Sequence, residues 1–251
     1  MNFLQSLQNP HVKEWKKLST KKGRDQSGLF LVEGFHLVEE ALKSPESVQE
    51  MIVREGVELP QHFYVDSIEL TTITDEISQA IAETEHTQGI FAVCKQEKQE
   101  FADLHANRIL MIDSVQDPGN VGTMIRTADA VGVDAVILGK GSADPYNAKV
   151  LRAAQGSHFH LPIIKLNLQD VIDEMKQRGI AVYGTALEGG NPYREISSGE
   201  PFALIMGNEG AGVKEEWLNQ TDQNLYVPIF GESESLNVAV ATGVLLYHLK
   251  G

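Results

Sequence analysis

An α/β protein with a mostly parallel C-terminal sheet, preceded by a smaller α/β domain, is what this sequence predicts, on three observations. Short apolar runs alternate with segments of helical spacing along nearly all of the 251 residues, the pattern of strands joined through covering helices. The alternation strengthens after Arg108, where Ile109-Leu110-Met111-Ile112, Ala135 to Leu138, Leu161 to Ile164, Ile180 to Thr185 and Phe202 to Met206 are runs of buried-strand type. Between Gln96 and Asn107 apolar content falls while charge and amide content rises, which reads as a linker. The expected division is residues 1–98, a linker over 99–107, and a second domain over 108–251.

In the first domain, Phe30-Leu31-Val32-Glu33-Gly34 reads as a strand end, and Phe35 to Leu42 has helical spacing through Leu37, Val38, Ala41 and Leu42. Val48 to Val53 reads as a strand, and Phe63-Tyr64-Val65, Thr74 to Ala82 and Gly89 to Lys95 continue the alternation. In the second domain the Asp117-Pro118-Gly119 content marks a turn. Asn120 is suited to cap a helix whose apolar face is Val121, Met124, Ile125, Ala128 and Val131. Farther on, the run ending at Met206 empties into Gly207-Asn208-Glu209-Gly210. Val227-Pro228-Ile229, read as a strand, leads to Ser233 through Ala241, with Ser235 a natural N-cap for the last helix. Ligands of such sheets bind at the carboxyl ends of strands. These turns, with carboxylate, amide and hydroxyl groups beside bare glycine backbone, therefore predict a pocket for a polar small molecule.

Composition narrows the function classes. Net charge is −14, from 21 basic and 35 acidic residues, which argues against attraction of the whole molecule to nucleic acid. Yet residues 1–30 hold Lys13, Lys16, Lys17, Lys21, Lys22 and Arg24 against only Glu14 and Asp25. This basic arm is compatible with local phosphate contact, with a solvated helix face as the competing reading. Cys94 is the single cysteine, so an intramolecular disulfide or a cysteine-based zinc cluster is excluded, and its place in Ile90-Phe91-Ala92-Val93-Cys94 predicts a packed thiol. His158 and His160 have no acidic or cysteine partner at metal spacing, so no metal is expected. The first residues lack the pattern of a signal peptide, and Val238 to Leu249 is too short and too polar to span a bilayer. The expectation is a cytoplasmic protein without a membrane partner. The first strand of the second domain is not followed by G-x-G-x-x-G, and Gly139-Lys140-Gly141-Ser142 lacks the preceding glycine of a P-loop. This weakens dinucleotide and nucleoside-triphosphate readings.

Three segments then fall into a recognisable order: Asp117-Pro118-Gly119-Asn120-Val121-Gly122-Thr123-Met124-Ile125-Arg126-Thr127-Ala128, Met206-Gly207-Asn208-Glu209-Gly210-Ala211-Gly212, and Val227-Pro228-Ile229 with Glu234-Ser235-Leu236-Asn237-Val238-Ala239-Val240-Ala241. Together they resemble the three motifs of SpoU-type (TrmH-type) RNA ribose 2′-O-methyltransferases of the SPOUT superfamily, from about Arg108 to the C-terminus. Residues 1 to about 100, through Leu31-Val32-Glu33-Gly34 and Gly89-Ile90-Phe91-Ala92-Val93, resemble the small ribosomal-protein-like substrate-binding domain of many ribosomal-RNA members.

The resemblance implies a trefoil-knotted methyltransferase domain that binds S-adenosylmethionine in its knotted loops, a site completed in a homodimer, and RNA as partner. Ribosomal RNA is implied by the separate N-terminal domain. The alternatives are a transfer-RNA 2′-O-methyltransferase or a non-catalytic RNA-binding or ribosome assembly factor. A nicotinamide oxidoreductase would need the absent fingerprint. By carry-over, Arg126, Asn120, Glu209, Ser235 and Asn237 are the catalytic candidates. Thr185, Leu187, Gly207, Val227, Ile229 and Leu236 are the cofactor-binding ones, with Gly207 letting a ligand approach bare backbone. Family accounts allow Arg126 to be the base. A guanidinium is too basic for that without an extreme environment, which favours a role in holding phosphate and stabilising alkoxide charge. The competing reading pairs Arg126 with Asp129. Arg152, with Gln155 and Gly156, resembles a family segment near the site and is a secondary RNA-contact candidate.

Overall fold

In the computed structural model, which describes residues 2–63, 68–97 and 99–251, the chain forms two compact units. One comprises Met1–Glu97 with Tyr146–Phe159, the other Lys98–Pro145 with His160–Gly251. In chain order the first stretch contributes β1 (Asn2–Leu4), α1 (Pro10–Lys17), α2 (Lys21–Ser27), β2 (Leu29–Glu33), α3 (Phe35–Leu42), β3 (Val48–Arg54), β4 (Glu69–Ile73), α4 (Asp75–Ile81) and β5 (Ile90–Lys95). The remainder contributes β6 (Arg108–Ile112), α5 (Pro118–Val131), β7 (Ala135–Leu138), α6 (Ala148–Ala154), β8 (Ile163–Lys165), α7 (Leu168–Gln177), β9 (Ala181–Thr185), β10 (Asn191–Pro192), β11 (Phe202–Met206), α8 (Glu215–Leu218), β12 (Gln223–Tyr226) and α9 (Val238–Lys250).

The first unit is built on a mixed sheet of order β1-β4-β3-β5-β2. Side chains alternate faces along a strand. Met51 and Val53 of β3, with Ile90, Ala92 and Cys94 of β5, therefore meet Leu37, Val38 and Ala41 of α3 on one face. Ile52, Phe91 and Val93 meet Val12 and Trp15 of α1 and Ile77 and Ile81 of α4 on the other. The α3 boundaries follow the apolar spacing, and Thr74 caps α4 by accepting a hydrogen bond from Ile77 N at 3.4 Å. Burial pushes the Cys94 thiol up, in keeping with a packed side chain. Of the run Phe63-Tyr64-Val65, Tyr64 and Val65 lie outside the described residues. The segment of α6 also belongs to this unit by its packing: Leu151, Tyr146 and Phe159 join the cluster around Phe30.

The basic arm is two helices meeting at a tight corner, and here one expectation is corrected. Arg24 is not on the exposed face; it is 3% exposed and its Nη1 donates to Leu18 O at 2.7 Å and Ser19 O at 3.0 Å. Ser19 Oγ and Thr20 Oγ1 donate to Lys16 O and Lys17 O, each at 2.8 Å. The carbonyls left over at the end of α1 are thus satisfied by side chains, and the guanidinium acts as an internal strut. Lys13, Lys16, Lys17, Lys21 and Lys22 remain exposed, with Lys17 bonded to Glu14 at 2.7 Å.

The second unit is a seven-stranded, all-parallel sheet of order β10-β12-β9-β11-β6-β7-β8. The central strands are buried on both sides, as near-continuous apolar runs predict. The predicted face of α5 (Val121, Met124, Ile125, Ala128, Val131) is buried throughout. Three local readings are revised. Asp117, not Asn120, caps α5: its carboxylate accepts from Asn120 N at 2.8 Å, and Pro118 occupies the first position, where no N–H is needed. Asn237, not Ser235, caps α9, accepting from Ala239 N at 3.0 Å and Val240 N at 3.3 Å. Val227-Pro228-Ile229 follows the strand rather than forming it: β12 is the more polar Gln223–Tyr226, and Pro228 has no N–H for a ladder. Within the segment read as a linker, Phe101 and Leu104 pack against the core of this unit and Ala106 is buried.

Glu50 of β3 is a buried carboxyl of the first unit, accepting from Trp15 Nε1 at 2.7 Å. Burial raises its pKa above the ordinary value, outweighing the Trp15 bond and the His11 charge, with Glu69 adding to the rise. The folded state therefore takes up a proton at higher pH than the unfolded chain. The contribution of Glu50 to stability is complete below the unfolded pKa and lost as pH rises through the folded one. Glu50→Gln keeps the acceptor for Trp15 and removes this titration. Its thermal midpoint relative to wild type should be most favourable near neutral pH, and the advantage should shrink as pH falls toward about 4. Parallel curves for the two proteins would show that Glu50 does not titrate in this range.

Candidate active site at the carboxyl edge of the parallel sheet

In the second unit the strand order changes direction between β6 and β11: β6, β7 and β8 build one side, and β9 to β12 the other. The crevice beyond such a switch point is where parallel α/β sheets hold ligands. Pairing of Met206 with Ile112 places the loops that follow β6 and β11 side by side, with the loops after β9 and β12 next along. Sequence-distant candidates are brought together there.

The geometry is a directed chain of hydrogen bonds. Because Oδ1 of Asn237 faces the first N–H groups of α9, its Nδ2 points outward and donates to Asn120 Oδ1 at 2.9 Å. Asn120 must then turn its own Nδ2 away, donating to Glu209 Oε1 at 3.1 Å. Glu209 closes the chain as an acceptor-only carboxylate, also receiving Asp117 N at 3.3 Å and Gln116 N at 3.4 Å. Partial burial acts to raise the Glu209 pKa, but the bonds from Asn120 and from the backbone prevail and hold it below the ordinary value. The carboxylate is ionised through the neutral range, and its bonds are lost only as pH falls through that depressed value.

Glu209 stands at the tip of a tight hairpin. Asn208 N donates to Gly212 O at 3.0 Å and Gly212 N returns to Asn208 O at 2.9 Å, while Gly210 N and Ala211 N donate to Asn208 Oδ1. Gly207 has a structural role here. Its Cβ position is filled by the backbone of Gly212 and Val213, so the glycine is required by the hairpin's own closure.

The other candidates are distributed as follows. Thr185 ends β9 and donates through Oγ1 to Ile205 O at 3.1 Å. Leu187 and Leu236 are exposed, and Val227 and Ile229 are half-buried on the loop after β12. Ser235 is exposed and its carbonyl accepts from Ser233 Oγ at 2.8 Å. Arg126 lies on the exposed face of α5, one and a half turns beyond Asn120. Its guanidinium has no hydrogen bond or ion pair among the described residues. The pairing with Asp129 is not formed: Asp129 Oδ2 is bonded to His160 Nδ1 at 2.8 Å. That pair sits toward the amino edge of the sheet, away from the hairpin. Among the described residues no His, Cys, Asp and Glu group is arranged to hold a metal.

These loops fit S-adenosylmethionine by the chemistry they present. Leu187, Val227, Ile229 and Leu236 carry apolar side chains on these loops, and Gly189 and Gly231 have open space where a Cβ would stand, leaving main-chain groups approachable.

Sequence reasoning missed Asp113, Ser114 and Lys214. Asp113 is 1% exposed and its carboxylate accepts from Lys214 N at 3.0 Å and pairs with Lys214 Nζ at 3.2 Å. A carboxylate closing an otherwise apolar strand was the signal available for it.

Known proteins share this fold. Residues 107–247 match the SpoU rRNA methylase family and residues 9–92 the MRM3-like substrate binding domain. The chain belongs to the SpoU rRNA methylase family, and is an S-adenosylmethionine-dependent RNA ribose 2′-O-methyltransferase. It is 53% identical, over the full length of both chains, to the 23S rRNA (guanosine(2553)-2′-O)-methyltransferase RlmP of Bacillus subtilis. An AdoMet-bound rRNA methyltransferase from Sinorhizobium meliloti superposes with a TM-score of 0.89 at 32% identity, covering 99% of this chain and 97% of that one. The AdoMet complex of the SpoU methyltransferase AviRb from Streptomyces viridochromogenes gives a TM-score of 0.86 at 25% identity, covering 96% and 97%.

The polarity of the amide chain makes a prediction. Asn237→Ala should cost about 1 kcal/mol through the lost cap and should also lower methyl transfer, because Asn120 loses its anchor. Asn237→Asp should restore the thermal midpoint, since a carboxylate caps equally well. It should not restore activity, because it sets an acceptor against Asn120 Oδ1. Recovery of both in Asn237→Asp would remove the amide chain from the reaction.

Proposed function

We propose that the enzyme methylates a guanosine ribose of 23S ribosomal RNA as a cytoplasmic homodimer whose C-terminal unit is a trefoil knot. The observation that carries the substrate is the 53% identity to RlmP over the whole of both chains, so that the substrate-binding unit matches along with the methyltransferase unit. The knot is supported by the path of the chain after β11. It runs out to β12, beyond β9, and returns to lay α9 against α5 and β11. The dimer is supported by Phe230, 91% exposed, together with exposed Leu236, Val240 and Tyr247 around an α9 that is apolar on more than its buried side. The cytoplasm follows from the RNA substrate.

Thr185, Leu187, Val227, Ile229, Leu236 and the main chain after Gly207 would hold S-adenosylmethionine, which would supply an electrophilic methyl carbon on a positively charged sulfur. The chain brings a ribose 2′-hydroxyl in line with it and favours loss of its proton. Arg126 is permanently cationic and unpaired within the described chain, so it holds the RNA phosphate beside the acceptor and stabilises the developing alkoxide. Asn120, Glu209 and Asn237 fix the loops around that point, with Ser235 on the approach to α9. At the first unit, Lys13, Lys16, Lys21 and Lys22 offer exposed charge to RNA on an otherwise acidic molecule.

Two measurements test this reading. Label from methyl-labelled S-adenosylmethionine should enter 23S rRNA as a nuclease-resistant 2′-O position. Arg126→Ala should slow this by about 10²-fold or more, the usual loss of one charge-stabilising group. Label in transfer RNA alone, or none on any RNA despite cofactor binding, would replace the substrate or the activity. Separately, changing Lys13, Lys16, Lys21 and Lys22 to Ala should weaken RNA binding and flatten the log–log salt slope by about 3, with cofactor affinity unchanged. An unaltered slope would place the RNA elsewhere.

A further inference from the structure

Two loops of the second unit meet at one buried carboxylate, and a third reaches the serine beside it. Asp113 extends the β6–β11 ladder by donating its N–H to Met206 O at 2.8 Å, which holds it in the interior. Its two oxygens are occupied by the Lys214 backbone and ammonium, and by Ser114 Oγ at 3.0 Å. Ser114 has φ 59°, one of only two non-glycine residues with positive φ among those described, a conformation that costs a side-chain-bearing residue energy and persists only when its surroundings demand it. The demand is visible. Ser114 O accepts Asn208 Nδ2 at 2.8 Å, and Ser114 Oγ also lies 3.1 Å from Lys140 O in the loop after β7.

The consequence concerns the hairpin that carries Glu209. Its first leg is tied to the β6 loop through Asn208 and its last residue through Lys214, so both legs are anchored at Asp113 and Ser114. Val213 seats the second leg of the hairpin in the core, but the glycine-closed tip that carries Glu209 has little side-chain packing of its own. Without this anchor, Glu209 would have only three longer bonds, at 3.1 to 3.4 Å, to hold it against Asn120 and the backbone. Removing one member of a buried ion pair is costly because the other is left uncompensated. Lys214, however, is half exposed and can hydrate when Asp113 is neutralised. We propose that Asp113 and Lys214 are positioning residues for methyl transfer: their ion pair sets the 207–214 hairpin so that Glu209 engages Asn120 and Asn237. Neither residue touches the reacting atoms. The proposal rests on the reading that this hairpin belongs to the methyl-transfer site.

The test compares Asp113→Asn, Lys214→Met and Lys214→Arg in the full-length protein, with wild type as the activity control. Hydrogen exchange at the backbone amides of 208–212, measured without RNA or cofactor, should quicken at least tenfold in Asp113→Asn and Lys214→Met and return toward wild type in Lys214→Arg. Steady-state kinetics should show kcat reduced tenfold or more and the KM for S-adenosylmethionine raised, with the KM for RNA unchanged. Lys214→Arg should recover most of kcat. If Asp113→Asn does not fold, the two Lys214 variants carry the comparison alone. Wild-type exchange and wild-type kcat in Lys214→Met would overturn the proposal. Faster exchange with unchanged kinetics would overturn the positioning role while leaving a structural one. Inactive wild-type protein would instead count against the assigned activity, and the exchange data would still decide the anchor.

Discussion

The site depends on one pairing, that of β6 with β11. Five residue pairs, from Arg108 with Phe202 to Ile112 with Met206, put two segments about ninety residues apart in adjacent register. The segments that carry Asn120 and Glu209 then start at the point where both strands end. Asp113 continues the ladder by one more bond and turns its carboxylate inward. Gly207 starts a hairpin that only a glycine can close. Slipping this register by one residue would send Asp113 to the other face of the sheet and separate Glu209 from α5.

Polar groups at this edge are arranged with a definite direction, and the direction has a physical source. The N–H groups at the start of α9 fix Asn237, Asn237 fixes Asn120, and Asn120 ends on an ionised Glu209. At the other end of α5's first turn, Asp117 takes over the capping role and leaves the Asn120 side chain available for this chain. Two capping residues thus also decide which way the amides of the site point. Arg126, by contrast, has no hydrogen bond or ion pair among the described residues.

Charge is handled differently in the first unit. The molecule as a whole is acidic, yet its N-terminal helices expose lysines on a corner held from within by Arg24. The buried guanidinium bonds the carbonyls of Leu18 and Ser19, so the two helices that expose the lysines are tied together from within.

Much of this was legible in the sequence. Apolar runs announced β5, β6, β7 and β11 because strands covered on both faces must be apolar along their whole length, and the face of α5 followed from its 3.6-residue period. The three motifs, taken by resemblance, named the family, and among their residues Asn120, Glu209 and Asn237 are brought together. What the sequence by itself determined was therefore local periodicity, the turns that follow the strands and, by resemblance, the family. Tertiary structure decided which of several competing polar side chains filled each role. It chose Asp117 over Asn120 and Asn237 over Ser235 as caps, Arg24 as strut rather than surface charge, and Asp113 with Lys214 as the anchor of the hairpin. Such choices depend on partners tens of residues away, and a hydrogen bond or ion pair between them exists only once the sheet register has brought them within about 3 Å.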